Sequence, residues 1–197
     1  MSKTVEFFFD LGSPASYLAW TQLPALCARH GAALRYRPML LGGVFQATGN
    51  ASPVMIPAKG RYMFTDLARF AARYGVPFGL PPGFPINTLA LMRGLVGMQL
   101  HAPERFEALL AALFNGLWAQ RRNLGDAAVL EQVLAEAGFT AAEFQVLTGD
   151  AEVKAALKQA TEEAVERGVF GAPTCFVDGQ MYFGQDRLDF VADALKL

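Results

Sequence analysis

Phe7-Phe8-Phe9-Asp10-Leu11-Gly12-Ser13-Pro14-Ala15-Ser16-Tyr17 carries an apolar strand straight into the first turn of a helix. Val5 to Phe9 is a β-branched and aromatic run of strand length, and Gly12 permits a sharp backbone turn after it. Ser13-Pro14 then matches a helix N-cap followed by proline at the first helical position. Leu18, Leu23, Leu26 and Cys27 continue the helix at roughly helical spacing, and His30-Gly31 ends it. The first turn of such a helix offers unpaired backbone N–H groups, the positive end of the helix dipole and one hydroxyl. A thiolate, carboxylate or phosphate would be stabilised there. Taken alone, the segment is equally satisfied by a Ser13 that only caps its helix.

Working outward, Ala33 to Met39 reads as a second strand, so the first forty or so residues form a strand–helix–strand unit with a right-handed crossover between parallel strands. Leu41 to Pro57 is rich in Gly, Ser, Asn and Pro and reads as a loop. Helical patterns follow over Lys59–Tyr74, Thr88–Leu100, Pro103 to about Arg121, Asp126–Ala137 and Ala141–Leu147, with the Gly/Pro-rich turn Gly79–Pro85 among them. Ala151–Arg167 is a further amphipathic helix. Thr174–Val177, the turn Asp178-Gly179 and Gln180–Phe183 then make a hairpin, and Gly184-Gln185-Asp186 leads into a last helix with Asp186 as its cap or first-turn acid.

This order predicts an α/β protein with the thioredoxin-like arrangement, interrupted by a large all-helical insertion. Residues 1–42 and 150–197 would form a discontinuous thioredoxin-like domain and 43–149 the insertion. Another doubly wound sheet would need more strands than the chain offers. Gly171-Ala172-Pro173-Thr174 stands immediately before the hairpin, and an X-Pro bond entering a strand is a candidate cis peptide. If cis, it would turn the backbone of Ala172 outward for an extended peptide to pair with; an ordinary trans proline opening an edge strand fits the spacing as well.

Composition narrows the function classes. The chain has 197 residues, 53% of them hydrophobic, and 17 basic residues against 18 acidic ones for a net charge of -1. No Lys/Arg stripe suits a nucleic-acid backbone, and neither a signal-peptide pattern nor a spanning helix is evident, so the expectation is a cytoplasmic protein with no nucleic-acid or membrane partner. Cys27 and Cys175, far apart and flanked by apolar residues, support neither a zinc site nor a disulfide framework, and both read as buried small hydrophobes. His30 and His101 fall at helix ends, where the C-terminal dipole accounts for them.

Three segments together, Phe9 to Tyr17, Gly171-Ala172-Pro173-Thr174 and Phe183-Gly184-Gln185-Asp186-Arg187-Leu188, resemble the 2-hydroxychromene-2-carboxylate isomerases, relatives of the kappa-class glutathione transferases within the wider group of disulfide oxidoreductases. The resemblance runs end to end and includes Asn50, Lys59-Gly60-Arg61-Tyr62 and Phe84-Pro85-Ile86-Asn87-Thr88. It implies glutathione as cofactor and a homodimer. Ser13 would be the catalytic residue, donating its hydroxyl to the glutathione sulfur; a helix N-terminus and a hydrogen bond to the charged form both favour thiolate over thiol. Ala172, before Pro173, would pair with the cysteinyl backbone, Gln185 and Asp186 would hold the γ-glutamyl end, and Asn50 and Lys59 the glycyl carboxylate. Tyr62, Phe84, Asn87, Arg93 and Trp118 are candidate contacts to a small aromatic carboxylate substrate. No metal is implied. Redox relatives carry Cys-x-x-Cys where this chain has Ser13-Pro14-Ala15-Ser16, so the reactive sulfur would have to arrive with the cofactor.

The expected activity is therefore a glutathione-dependent isomerisation of 2-hydroxychromene-2-carboxylate to trans-o-hydroxybenzylidenepyruvate, or of a related catabolite of naphthalene-like aromatics, by reversible thiolate addition. Two rivals remain: kappa-like glutathione transfer to an electrophile, and a non-catalytic thioredoxin-like module that docks peptides at the Ala172-Pro173 edge.

Overall fold

A computed structural model describes residues 3–196. β1 (Thr4–Phe9), α1 (Pro14–Arg29) and β2 (Ala33–Pro38) form the first unit, with β1 and β2 parallel. β3 (Thr174–Val177) pairs antiparallel with β1, and β4 (Gln180–Phe183) pairs antiparallel with β3, giving the sheet order β2-β1-β3-β4. The β3–β4 turn uses Asp178 and Gly179, both at positive φ, as a two-residue hairpin requires. This is the thioredoxin-like arrangement, with the central strand β1 aiming its C-terminal end at the start of α1.

Between the two halves of the sheet lie α2 (Leu41–Thr48), α3 (Pro57–Tyr74), α4 (Leu89–His101), α5 (Phe106–Phe114), α6 (Ala127–Glu136) and α7 (Ala141–Gly149); α8 (Ala151–Glu166) and α9 (Leu188–Lys196) pack on the sheet. The period-two alternation of a strand divides β1 between two cores. Phe7 and Phe9 face one large apolar cluster that includes Leu91, Leu95, Leu109, Phe114 and Trp118 from the helices, whereas Phe8 faces Met39, Val44, Ala164 and Phe176 on the other side. The inserted helices thus share the apolar core of the sheet. Among the described residues no helix is long and apolar enough to cross a membrane.

Three sequence expectations are corrected. Leu41–Pro57 is not all loop: α2 and a short 3-10 turn at Pro53–Met55 occupy much of it. Two glycines at its start and the lack of a capping side chain hid α2; its start is held instead by a tertiary bond from the Leu41 N–H to Asp10 Oδ2 at 2.8 Å. The single helix expected over Pro103–Arg121 is three pieces, a 3-10 turn at Pro103–Arg105, α5 and a π-turn at Asn115–Ala119. Gln185–Arg187 is a separate 3-10 turn, so Asp186 lies ahead of α9 and does not cap it.

Candidate active site

The strand–turn–helix junction is built from Asp10. Its side chain is 1% exposed and accepts three hydrogen bonds, from the Gly12 N–H (2.8 Å), the Leu41 N–H (2.8 Å) and the Thr88 hydroxyl (3.2 Å). One carboxylate therefore joins the turn before α1, the start of α2 and the residue before α4. Burial pushes its carboxyl above the ordinary Asp range, while those three donors pull the other way. The next residue is gripped as well: the Leu11 carbonyl accepts from Trp118 Nε1 at 2.8 Å, and the Leu11 N–H points to the Met92 sulfur at 3.4 Å. Gly12 is required by close approach, because a Cβ there would meet Thr88 Cγ2 at 3.0 Å.

Ser13 follows, 4% exposed, with its backbone N–H on the Asp10 carbonyl. Its Oγ accepts from the Ser16 N–H at 3.1 Å, which is the helix cap read from the sequence, and donates to the Ala172 carbonyl at 3.0 Å. The same hydroxyl thus caps α1 and ties it to the loop entering β3. The Ala172-Pro173 peptide is cis, as is Phe84-Pro85. Gly171 packs so closely that a Cβ would meet the Phe183 ring at 2.8 Å, and the Gly184 N–H donates to the Pro173 carbonyl at 2.9 Å. The β4 exit, with Gln185 and Asp186, is thereby drawn to the same place.

Ser13, Ala172, Pro173, Gln185 and Asp186 line one groove of about 360 Å³, walled on its other side by Phe45, Tyr62, Met63 and Phe84. Gln185 is 4% exposed and its Oε1 accepts from the Tyr74 hydroxyl at 2.8 Å. Asp186 is half exposed and paired with Arg187. Tyr62 is 64% exposed, a side chain with room to cover a ligand, and Phe84 stands edge-on to Trp118 at 5.4 Å between ring centroids. The groove is apolar on one wall and polar at the Ser13 and Gln185 end.

The remaining sequence candidates lie elsewhere. Asn50 is exposed next to the groove residue Ala51; its Nδ2 donates to the Phe170 carbonyl at 2.8 Å and its Oδ1 accepts from the Ala51 N–H at 2.8 Å. Lys59 is exposed in the first turn of α3 and does not line the groove. Trp118 is wholly buried, so it backs Phe84 and holds the turn at Leu11 where a substrate contact was expected. Asn87 is likewise no groove residue: its Oδ1 accepts from the Leu89 N–H at 2.9 Å at the start of α4. Arg93 belongs to a different cleft, beyond α2.

Sequence reasoning assigned no role to Asp10, Tyr74, Phe45 or Thr88. Asp10 sits inside the decisive stretch and a carboxylate two residues before a turn glycine is a recognisable local acceptor; its partners Leu41 and Thr88 come from distant segments and gave no signal. Burial raises the Cys27 thiol to about 11 and the Cys175 thiol to about 12, so neither is a thiolate near neutral pH.

Residues 4–196 match the family described as the DSBA-like thioredoxin domain. A 2-hydroxychromene-2-carboxylate isomerase of Sphingobium xenophagum is 33% identical over 198 residues, covering 99% of this chain and 99% of that protein. Glutathione S-transferase kappa 1 of Homo sapiens is 31% identical, covering 99% of this chain and 92% of that one. A solved 2-hydroxychromene-2-carboxylate isomerase structure superposes with a TM-score of 0.87 at 29% identity, covering 98% and 94% of the two chains. With the fold, the Ser13 junction and these likenesses in agreement, the chain belongs to the DSBA-like thioredoxin domain family and is similar over nearly its whole length to the isomerases and kappa transferases within reach of it.

Proposed function

We propose that the Ser13 groove binds glutathione and that the protein is an isomerase interconverting 2-hydroxychromene-2-carboxylate and trans-o-hydroxybenzylidenepyruvate, or a closely related aromatic carboxylate. The observation that carries this reading is the position of Ser13 Oγ at the N-terminus of α1, hydrogen-bonded to the Ala172 carbonyl and facing a groove that Gln185 and Asp186 share.

The residues present fit the cofactor. The Ser13 hydroxyl hydrogen rests on the Ala172 carbonyl at 3.0 Å. One rotation of that hydroxyl frees a donor for a sulfur and an acceptor for an incoming backbone N–H, which are the two groups a cysteinyl residue brings. A hydroxyl has two lone pairs, so Oγ can accept from the Ser16 N–H in either orientation. The helix dipole adds to the same effect, since charge near the first turn is stabilised by about 0.3–1 kcal/mol or more. Asp186 would exchange Arg187 for the γ-glutamyl ammonium group, with Gln185 held in place beside it by Tyr74. Asn50, beside the groove residue Ala51, and Lys59, in the first turn of α3, do not line the groove themselves, and a lysine there suits the glycyl carboxylate only if the bound tripeptide extends beyond the groove.

When bound, glutathione would supply a nucleophilic sulfur able to add to a conjugated double bond and leave it again, which replaces one hard isomerisation step by two easier ones. Ser13 keeps the sulfur charged without itself bonding to substrate. Tyr62 and Phe84 offer flat apolar faces for an aromatic ring.

Turnover of the chromene carboxylate at saturating glutathione tests the proposal. Ser13→Ala is expected to lower kcat by about 10²-fold or more, the cost of removing a donor aimed at developing charge; a change within about twofold contradicts the role. Free glutathione should be undiminished after many turnovers. Its stoichiometric consumption would favour the second reading, conjugation to an electrophile, for which the likeness to the human kappa transferase speaks.

A further inference from the structure

A second cleft, of about 760 Å³, opens across α2 from the Ser13 groove. Leu41 and Phe45 of α2 line the groove, whereas Gly43, Gln46 and Ala47 line the cleft; at about 100° per residue these sets stand on opposite faces of the helix. The floor of the cleft is apolar, formed by Leu40, Leu89, Leu157 and Val165, and its polar floor atom is spent, since Thr161 Oγ1 accepts from the Leu40 N–H at 3.0 Å and donates to the Leu157 carbonyl at 2.8 Å.

The charges around that floor are asymmetric. Lys158 is engaged with Glu162 at 3.6 Å, and Glu166 stands at the far end of α8. Arg93 of α4 and Lys154 of the first turn of α8 also line the cleft, with Lys154 about 18 Å from Glu166 by helical rise. Neither cation has an ion-pair partner among the described residues, and Arg93 Nε is shut off from solvent with no hydrogen-bond acceptor. A guanidinium N–H in that condition is costly, and buried polar groups are almost always paired. The terminal nitrogens of the same guanidinium have no hydrogen-bond partner among the described residues either and are not closed off, so they are the donors that an anion in the cleft would meet.

We infer that this cleft is a binding site for an amphipathic monocarboxylate, with the carboxylate on Arg93 and Lys154 and the apolar body along Leu40, Leu89 and Leu157. A planar guanidinium fork matches a carboxylate, and an apolar floor beneath it rewards a hydrocarbon tail over a small anion. Glu162 and Glu166 line the end away from the carboxylate and select against a second negative charge on the tail. The site is separate from the Ser13 groove, and the inference stands whether or not that groove binds glutathione.

Titration calorimetry with octanoate on the full chain tests it, with octan-1-ol and octylammonium as comparisons. Wild type should bind one octanoate per chain and discriminate against both comparisons. Arg93→Gln should weaken octanoate binding about tenfold or more, the scale of a hydrogen bond to a charged group, and Arg93→Lys should recover part of it. Ala47→Phe, an exposed position whose new ring fills the cleft without entering the core, should abolish binding while leaving the melting temperature unchanged. Octan-1-ol binding as tightly as octanoate would overturn the inference, as would an affinity that neither Arg93→Gln nor Ala47→Phe changes. So would an Arg93→Gln variant that alters the sedimentation of the protein and not its octanoate affinity, because the cleft would then be a contact between copies of the chain.

Discussion

Asp10 shows how much of this junction depends on one buried side chain. Three donors converge on its two oxygens, and an amide could accept from one side only while turning an N–H toward a backbone N–H on the other. Asp10→Asn is therefore expected to destabilise the protein by about 1–3 kcal/mol, the cost of leaving a buried donor unsatisfied, measured as a lower denaturation midpoint at unchanged slope. It should also lower turnover in the glutathione-dependent assay, because Ser13 is positioned from Asp10 through its own backbone N–H. Ser13 itself was readable as a cap from its place before Pro14. That its hydroxyl also reaches residue 172 was not, since a hydrogen bond across 159 positions leaves no local trace.

At the scale of elements, the sheet, α1, α8 and the β3–β4 hairpin were legible because each carries its own local signal: alternation, a serine–proline start, a helical stripe, an Asp-Gly turn. α2 was not, because its sequence Leu41-Gly42-Gly43 reads as loop and its stability is tertiary. Trp118 and Arg93 were misplaced for a related reason, since the rotation of α4 and the break between α5 and its π-turn are decided by packing. The link between the hairpin and the candidate site rests on Gly184, at φ 102 and ψ 150, a backbone region open essentially to glycine alone. A Cβ there would also stand 2.5 Å from Asp186 Oδ1. Gly184→Ala should cost about 1–3 kcal/mol in stability and weaken glutathione binding by displacing Gln185 and Asp186. Unchanged affinity by calorimetry would mean that this turn does not shape the site.

For the whole molecule, the sheet and the inserted helices share one apolar core, in which Phe7 and Phe9 pack with helices α4 and α5. A charged network on the opposite face reinforces it: Glu6 of β1 bridges Arg37 of β2 at 3.0 Å and Arg167 beyond α8 at 2.7 Å. The Arg167 hydrogen bond is the main influence holding the Glu6 carboxyl below its ordinary value near 4.5, and Arg37 adds to it. A carboxylate whose folded value is depressed stabilises the fold above its unfolded value and loses that contribution as pH falls through the folded one. Glu6→Gln should therefore lower stability near pH 7, with the difference from wild type shrinking below about pH 4.5 and vanishing in stronger acid. A pH-independent difference would contradict this assignment.

In the proposed mechanism Ser13 and the N-terminus of α1 hold a borrowed sulfur as thiolate. The most direct test is the pH titration of the thiolate ultraviolet absorbance of glutathione bound to the wild type and to Ser13→Ala. A bound-thiol pKa at least about 1 unit below that of an ordinary thiol near 8.5 is expected in the wild type, with a return toward the ordinary value in the variant. A wild-type value equal to that of free glutathione, or a value equally depressed in both proteins, would contradict it.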